Sequence, residues 1–385
     1  MDVNGPRRPK VAVVYHFFAH YRAAVLEALL SSPNADYVLV GDQADPDGSI
    51  EAWRPAAGKL RIAPCRKLGF NAIWQHGVAT MALRRDWDAM IFLGNANILS
   101  TWIAAGLARF SGKRVLFWTH GWIRRERGAR AMLRNVFYRM AHGLLLYGNR
   151  AKTIGQSYRF ARETLYVIYN SLDYEVQKAA RSSVDDERTV RIRELLFGRS
   201  TTPVLICTSR LSTVRGLELL LTAMSLLREE RFDTCLLLVG DGPERERLAQ
   251  MAKDLRLAVH FYGPCYEERR LAELIMSANV TVAPGKVGLT AMHSLAYGTP
   301  VITHGDPDEQ MPEWEAIEPG STGDFFRRGD VRDLADKIKS WCLRPWPDEG
   351  IRHRCRAIIE RYYNPEYQRS VIDRAVRGVP AEPAA

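Results

Sequence analysis

Long apolar runs, paired cysteines and lysines are scarce in this chain, and each shortage excludes something. A bilayer span needs about 20 apolar residues in a row. The best stretch, Val11 to Leu30, holds His16, His20, Arg22 and Glu27, so no transmembrane helix is expected. The first ten residues lack an apolar h-region with a small-residue cleavage site, so no signal peptide is expected either. The cysteines are Cys65, Cys207, Cys235, Cys265, Cys342 and Cys355. No two form a C-x2-C pair and no histidines cluster at zinc spacing, which argues against a zinc site. Cys207 and Cys235 lie in strand-like apolar runs and read as buried thiols, a usage that fits a reducing cytoplasm. Three D-x-D pairs occur, Asp45/Asp47, Asp86/Asp88 and Asp306/Asp308. The motif is too short to be specific and hard cations need more oxygen ligands, so no metal and no resident cofactor are expected.

What the chain has in excess is arginine. Lys and Arg together number 54 against 44 acidic residues, a net charge of +10, and only 10 of the 54 are lysine. The planar guanidinium suits phosphates, so anionic partners are indicated, among them phosphorylated small molecules, anionic lipid and nucleic acid. A solvated arginine-rich surface is the alternative. At 385 residues, 46% hydrophobic and 25% charged, the chain is an ordinary globular one, and its length predicts two domains of roughly 150 residues or more.

Short β-rich runs alternate with helical spacings, six runs between Val11 and Ile168 and five between Val204 and Thr303. Such alternation predicts α/β domains with parallel sheets covered on both faces. The pattern breaks once, in polar text between Lys178 and Pro203 that holds one short helical patch at Arg191–Phe197. The expected organisation is a first domain over 1–180, a linker over 181–202, a second domain over 203–355, and a tail over 356–385 that returns to the first domain. Two doubly wound, Rossmann-like domains place ligands at the carboxyl ends of their strands.

Two segments of the second half carry chemistry. Cys207-Thr-Ser-Arg-Leu-Ser-Thr-Val-Arg-Gly216 joins a strand to a helix, with Arg210 and Arg215 five residues apart. Two guanidinium groups beside a helix start suit a diphosphate; two solvated arginines are the alternative. The second segment runs from Ala283 to Ile302 as strand, Gly-rich turn, helix, turn and strand. Gly285 and Gly288 free the backbone around Lys286, Val287 and Leu289, whose amides open a helix, and His293 lies on that helix.

In order along the chain, these segments resemble retaining glycosyltransferases of the GT-B fold, the large family four. That family's G-R-L-x-x-x-K-G loop is matched by Ser209-Arg-Leu-Ser-Thr-Val-Arg-Gly216, and its G-x-G-P turn by Gly240-Asp-Gly-Pro243. Phe261-Tyr-Gly263 matches F-x-G. The segment Pro284 to Val301 matches P-S-x-x-E-G-F-G-L…E-A-x-A-x-G-x-P-V, and Pro312-Glu313 and Thr322-Gly323…Asp330 follow. Val167-Ile-Tyr-Asn-Ser-Leu-Asp173 resembles the family's V-I-x-N-G-V-D. Two departures stand out. The loop lysine is Arg215, and the family's paired glutamates fall on Gly285 and His293.

The resemblance implies a nucleotide-diphosphate sugar as donor. It places Gly216, Gly242, Gly263, Gly285, Lys286, Val287, Gly288, Leu289 and His293 around it, with Arg210 and Arg215 on the diphosphate. In the first half, His120 follows a strand and corresponds to a histidine that approaches the donor sugar in the family. His20, Tyr21, Arg22, Asn95, Asn97 and Trp122 are expected on the acceptor side. A packing or helix-capping role is the alternative for His20, His120 and the two asparagines. The acceptor would be a glycan, a lipid-linked or a small molecule, with no nucleic acid as partner. The stretch Trp122–Arg139 carries six arginines among apolar residues. It reads as a contact for an anionic membrane surface, as an acceptor-binding element, or as an ordinary surface helix. The expected place is the cytoplasm, peripheral on the inner face of the membrane. A catalytically silent homologue that binds a nucleotide or glycan, and a nucleotide-sugar epimerase, are the alternatives.

Overall fold

The computed structural model describes residues 7–45, 51–56, 58–69, 71–199 and 201–382. It divides into two compact units, Met1–Asp173 with Asn364–Ala385, and Tyr174–Tyr363.

The first unit contains β1 (Lys10–Val14), β2 (Asp36–Gly41), β3 (Leu60–Ile62), β4 (Cys65–Gly69), β5 (Ala72–Gln75), β6 (Ala89–Leu93), β7 (Arg114–Thr119), β8 (Gly143–Leu146) and β9 (Leu165–Val167). Seven of these form one parallel sheet in the order β3-β2-β1-β6-β7-β8-β9, and β4 and β5 make a separate antiparallel pair. The strands read as unbroken apolar runs because both faces are covered. Ala12 and Val14 of β1 enter one core with Phe92 and Phe117, while Val11 and Val13 enter the opposite core with Ile91 and Trp118. The helix Pro365–Val376 completes that second core with Ile372 and Ala375. Its Asp373 is buried and accepts hydrogen bonds from Ser32 Oγ, Asn34 Nδ2 and Tyr37 Oη at 2.8, 3.0 and 2.7 Å.

The second unit contains β10 (Val204–Thr208), β11 (Cys235–Val239), β12 (Ala258–Gly263), β13 (Val280–Ala283), β14 (Val301–His304) and β15 (Gly323–Phe326). They form a parallel sheet in the order β12-β11-β10-β13-β14-β15. The polar stretch read as a linker over 181–202 contains the helix Asp186–Phe197, which belongs to this unit. Asp185 caps it by accepting from the Arg188 amide, Ile192 enters the core, and Gly198 closes it in a left-handed conformation. Its charged text is the outer face of a packed helix.

Each sheet has one point where the strand order reverses, between β1 and β6 in the first unit and between β10 and β13 in the second. Loops leaving such neighbours diverge and open a crevice at the carboxyl ends. The loops that carry the candidate residues leave these strands or their neighbours.

Candidate functional site

In the second unit, three loops interlock at the carboxyl ends of β10, β11 and β13. The turn after β11 lies against the turn after β10: the Leu211 amide donates to the Asp241 carbonyl at 3.0 Å, and the Glu244 amide to the Leu211 carbonyl at 3.1 Å. A Cβ at Gly240 would collide with the Ser209 carbonyl, and one at Gly242 with the Leu211 carbonyl. These glycines are there so that the backbones can touch. The turn after β13 presses on the same loop from the other side. A Cβ at Gly285 would come to 2.5 Å from the Val214 carbonyl and 3.0 Å from Arg215 Cα. Arg215 donates from Nη1 to the Lys286 carbonyl at 2.7 Å. The absence of a glutamate at 285 therefore has a steric reason: any side chain there would displace the arginine loop.

The expectation for the Val287 amide is corrected. Val287 is buried and its N–H is taken by Gln310 Oε1 at 3.0 Å. Gln310, itself buried, donates in turn to Thr303 Oγ1 and the His304 carbonyl at 2.8 and 3.0 Å. The Ala291 amide donates to the Gly288 carbonyl at 3.1 Å, so the amides left for a ligand at the start of Leu289–Ala296 are those of Leu289 and Thr290, which an α-helix cannot satisfy internally.

These loops border a cavity of about 580 Å³ lined by Arg210, Gly242, Leu289, Thr290 and His293 among others. Gly240 and Thr208 also reach it, and Thr290 Oγ1 donates to the Thr208 carbonyl at 2.8 Å. Arg215, Gly216, Gly263, Gly285, Lys286, Val287 and Gly288 do not line it; they support the loops that do. His293 Nδ1 lies 3.2 Å from Gln177 Nε2 and 3.4 Å from Glu268 Oε1. Burial pushes the Glu268 carboxyl up, but hydrogen bonding and charge from His293 outweigh it and hold the group below its ordinary range.

The first unit holds a separate cavity, also about 580 Å³, at the ends of β6 and β7. Here the structure brings together Arg22, Asn95, Asn97 and His120. Arg22 donates to Tyr15 Oη at 2.9 Å and to Tyr147 Oη, and its guanidinium stands over the rings of Tyr15, Trp118 and Tyr147 at 5.0, 5.4 and 5.7 Å. The His120 ring lies 4.7 Å from that of Tyr147. One side of it meets solvent, yet desolvation, with the Arg22 charge second, pushes its pKa down to about 4. Asn95 Oδ1 accepts from the Asn97 amide at 3.0 Å, closing the turn after β6; the residue before the following helix is Ile98.

Three acceptor-side expectations are not met by this cavity. Trp122 is core: it is 1% exposed, donates from Nε1 to Asn135 Oδ1 at 2.8 Å, and packs on Tyr138 and Phe160. The spacing of 13 residues that joins it to Asn135 is not a helical one, so periodicity could not reveal it. His20 and Tyr21 lie on the exposed 3-10 turn His20–Arg22 and do not line the cavity. Tyr147, Gln177 and Gln310 were not anticipated. Tyr147 follows β8 as His120 follows β7, so the same strand-end argument would have found it. Nothing in the local sequence marks the two glutamines.

Among the described residues no cluster of three or more His, Cys, Asp or Glu could hold a metal. Asp86 pairs with Arg84, Asp88 with Arg7 and Asp306 with Arg328, while Asp47 lies outside the described residues.

Residues 202–342 match the family model of glycosyl transferases group 1. The chain is 33% identical over 173 residues to a GDP-mannose-dependent alpha-(1-6)-phosphatidylinositol dimannoside mannosyltransferase of Mycobacterium tuberculosis, a match covering 44% of this chain and 42% of the relative. It is 29% identical over 140 residues to an alpha-monoglucosyldiacylglycerol synthase of Streptococcus pneumoniae, covering 34% and 31%. The matched stretch is thus less than half the length of these curated relatives. Two solved structures share the fold over nearly their whole length. A glycosyltransferase of Rickettsia africae has a TM-score of 0.72 at 14% identity, with 97% of this chain and 99% of that one covered. Anabaena HepE, solved with UDP, has a TM-score of 0.68 at 16% identity, with 95% and 98% covered. Together these findings show a fold shared with solved glycosyltransferase structures and, over residues 202–342, a likeness to glycosyl transferases group 1, in the part of the chain that carries most of the sequence motifs.

Proposed function

We propose that the chain transfers a sugar from a nucleotide-diphosphate donor, held by the second unit, to a hydroxyl acceptor recognised by the first, with retention at the anomeric carbon. The carrying observation is the interlocked loop set that holds Arg210 and a helix start at one cavity, inside a segment that matches glycosyl transferases group 1. Breaking the anomeric bond leaves negative charge on the diphosphate. Arg210 and the amides at the start of Leu289–Ala296 would meet that charge as preorganised donors, and Arg215 would position their loop. Neither cavity offers a carboxylate pair: Glu126 in the first is engaged by Arg134 at 2.6 Å. The bond from the anomeric carbon to phosphate oxygen breaks, the bond to the acceptor oxygen forms on the same face, and the acceptor proton passes to the departing phosphate. His120, neutral at ordinary pH, would orient the sugar.

The acceptor side is read as a lipid-borne or surface-glycan hydroxyl, with the chain peripheral on the cytoplasmic leaflet. Two relatives are named for mannosylating a phosphatidylinositol dimannoside and for making a glucosyldiacylglycerol, which supports that reading. So does the helix Ala129–Arg139, whose Met132, Leu133 and Val136 are exposed at 70%, 57% and 46% beside the exposed Arg124, Arg125, Arg127 and Arg130.

The test is a panel of UDP-, GDP- and dTDP-sugars, with nucleotide release followed with and without cell-envelope lipids and the product's anomeric configuration read by NMR. Acceptor-dependent release with a retained product is expected. Nucleotide binding without turnover would favour the silent homologue, a reading that the glycine at position 285 supports. No nucleotide binding at all would overturn the proposal.

A further inference from the structure

Among the described residues, Arg22 is a half-buried cation with no acid paired to it. Among the described residues its side-chain partners are the hydroxyls of Tyr15 and Tyr147, and its neighbours are three aromatic rings. Two hydrogen bonds use two of the five guanidinium N–H donors. Ring faces return less to a cation than an ion pair of good geometry does in a desolvated setting. The rest of the cavity is also short of acceptors. Arg130 and Arg134 line it with the single carboxylate Glu126, and Arg134 takes that carboxylate. Beneath Arg22, Trp118 is 1% exposed and its Nε1–H has no acceptor. His120 adds no negative charge in either protonation state, and burial pushes the Tyr15 hydroxyl well above its ordinary range, so it stays neutral.

We propose that the cavity of the first unit recognises an oxyanion, a phosphate ester or a carboxylate, on the molecule that enters it, with Arg22 as the group that binds it. This rests on the acceptor reading only for what carries the oxyanion; the charge argument stands without it. The tyrosine hydroxyls hold the guanidinium fork in place, so a planar or tetrahedral oxyanion meets fixed donors at little further entropic cost. Asn95 and Asn97 at the rim supply amide groups for neighbouring hydroxyls. Among possible acceptors this selects acidic sugars and phosphate-bearing headgroups over neutral ones.

The full chain should bind glucose 6-phosphate and glucuronate at least tenfold more tightly than glucose in calorimetry at low salt. Arg22→Gln should remove that preference while leaving UDP and GDP affinity unchanged, and Arg210→Ala should do the reverse. Tyr147→Phe, which takes one hydroxyl from the fork, should lose part of the preference and serves if Arg22→Gln does not fold. Glycerol 3-phosphate and phosphatidylcholine vesicles containing phosphatidylglycerol separate a free phosphate from a headgroup, and Arg22-dependent binding of either supports the site. Vesicle binding that survives Arg22→Gln, with no binding of the free phosphate, would assign the anion to the outer arginine surface and overturn the proposal. Equal affinity for glucose and the acidic sugars would also overturn it. Absence of nucleotide binding by the wild type would sink the transferase reading without touching this one.

Discussion

Arg210 and Arg215 are five residues apart, yet only Arg210 lines the cavity; Arg215 is tied to the Lys286 carbonyl. Hydrogen bonds to charged groups contribute about 1.5–3 kcal/mol. Arg210→Ala should therefore weaken binding of a nucleotide diphosphate by about that much in calorimetry, with little change in melting temperature. Arg215→Ala should also weaken it, but with faster amide exchange across 284–288, because the carbonyl it holds is released. Unchanged affinity in both would remove the diphosphate clamp. His120 gives a pH signature. An ordinary histidine titrates near pH 6.5, and this one is pushed down to about 4 by desolvation and Arg22. Between those values the unfolded chain takes up a proton that the folded chain refuses, so the histidine's contribution lowers stability as pH falls from about 6.5 to about 4. Urea melts at pH 7, 5.5 and 4.5 should show a shallower loss in His120→Gln than in the wild type. Parallel curves would mean the ring is not held neutral.

At the scale of the element, the loops explain which motif residues were legible. The run from Ser209 to Gly216 and the turn Gly240-Asp-Gly-Pro243 are readable as a strand-to-helix loop and a turn. That they are pressed together is not, because the partners come from different strands. Gly285 illustrates this: its reason is a carbonyl 71 positions earlier, at Val214. Val287 likewise looked free in sequence and is occupied by Gln310 in the fold. Replacing Gly285 with Ala should cost about 1–3 kcal/mol, the usual range for overpacking, and should weaken nucleotide binding through the displaced arginine loop. Gly285→Glu, which restores the family's residue type, should be worse still in both thermal melts and calorimetry. A stable, tighter-binding glutamate variant would show that the loop has room to open.

At the scale of the molecule, sequence alternation gave the two parallel sheets because continuously apolar strands have few other uses. The polar text over 181–202 showed only the short helical patch Arg191–Phe197, since a helix packed on one side exposes its charges on the other. The excess of arginine was legible as attraction to anions but not as a place. In the first unit the fold gives part of it an internal place, Arg22 among its rings, and part an external one around the helix Ala129–Arg139. Among the described residues no helix is long and apolar enough to cross a membrane, and the bilayer contact proposed above falls on this outer surface. Trp122 is not available for it, being buried on Asn135. Exposed Ile123, Met132, Leu133 and Val136 are, with the neighbouring arginines each contributing about 1 kcal/mol at an anionic leaflet. Liposomes with anionic lipid should therefore sediment the protein at low salt and release it as the Debye length shrinks toward about 8 Å near physiological salt. Replacing Arg124, Arg125 and Arg127 with Ser should abolish the salt-sensitive part, and Met132→Ser with Leu133→Ser the part that survives salt, both with nucleotide affinity intact. Equal sedimentation of wild type and both variants would show that this face does not meet the bilayer and would favour a soluble acceptor.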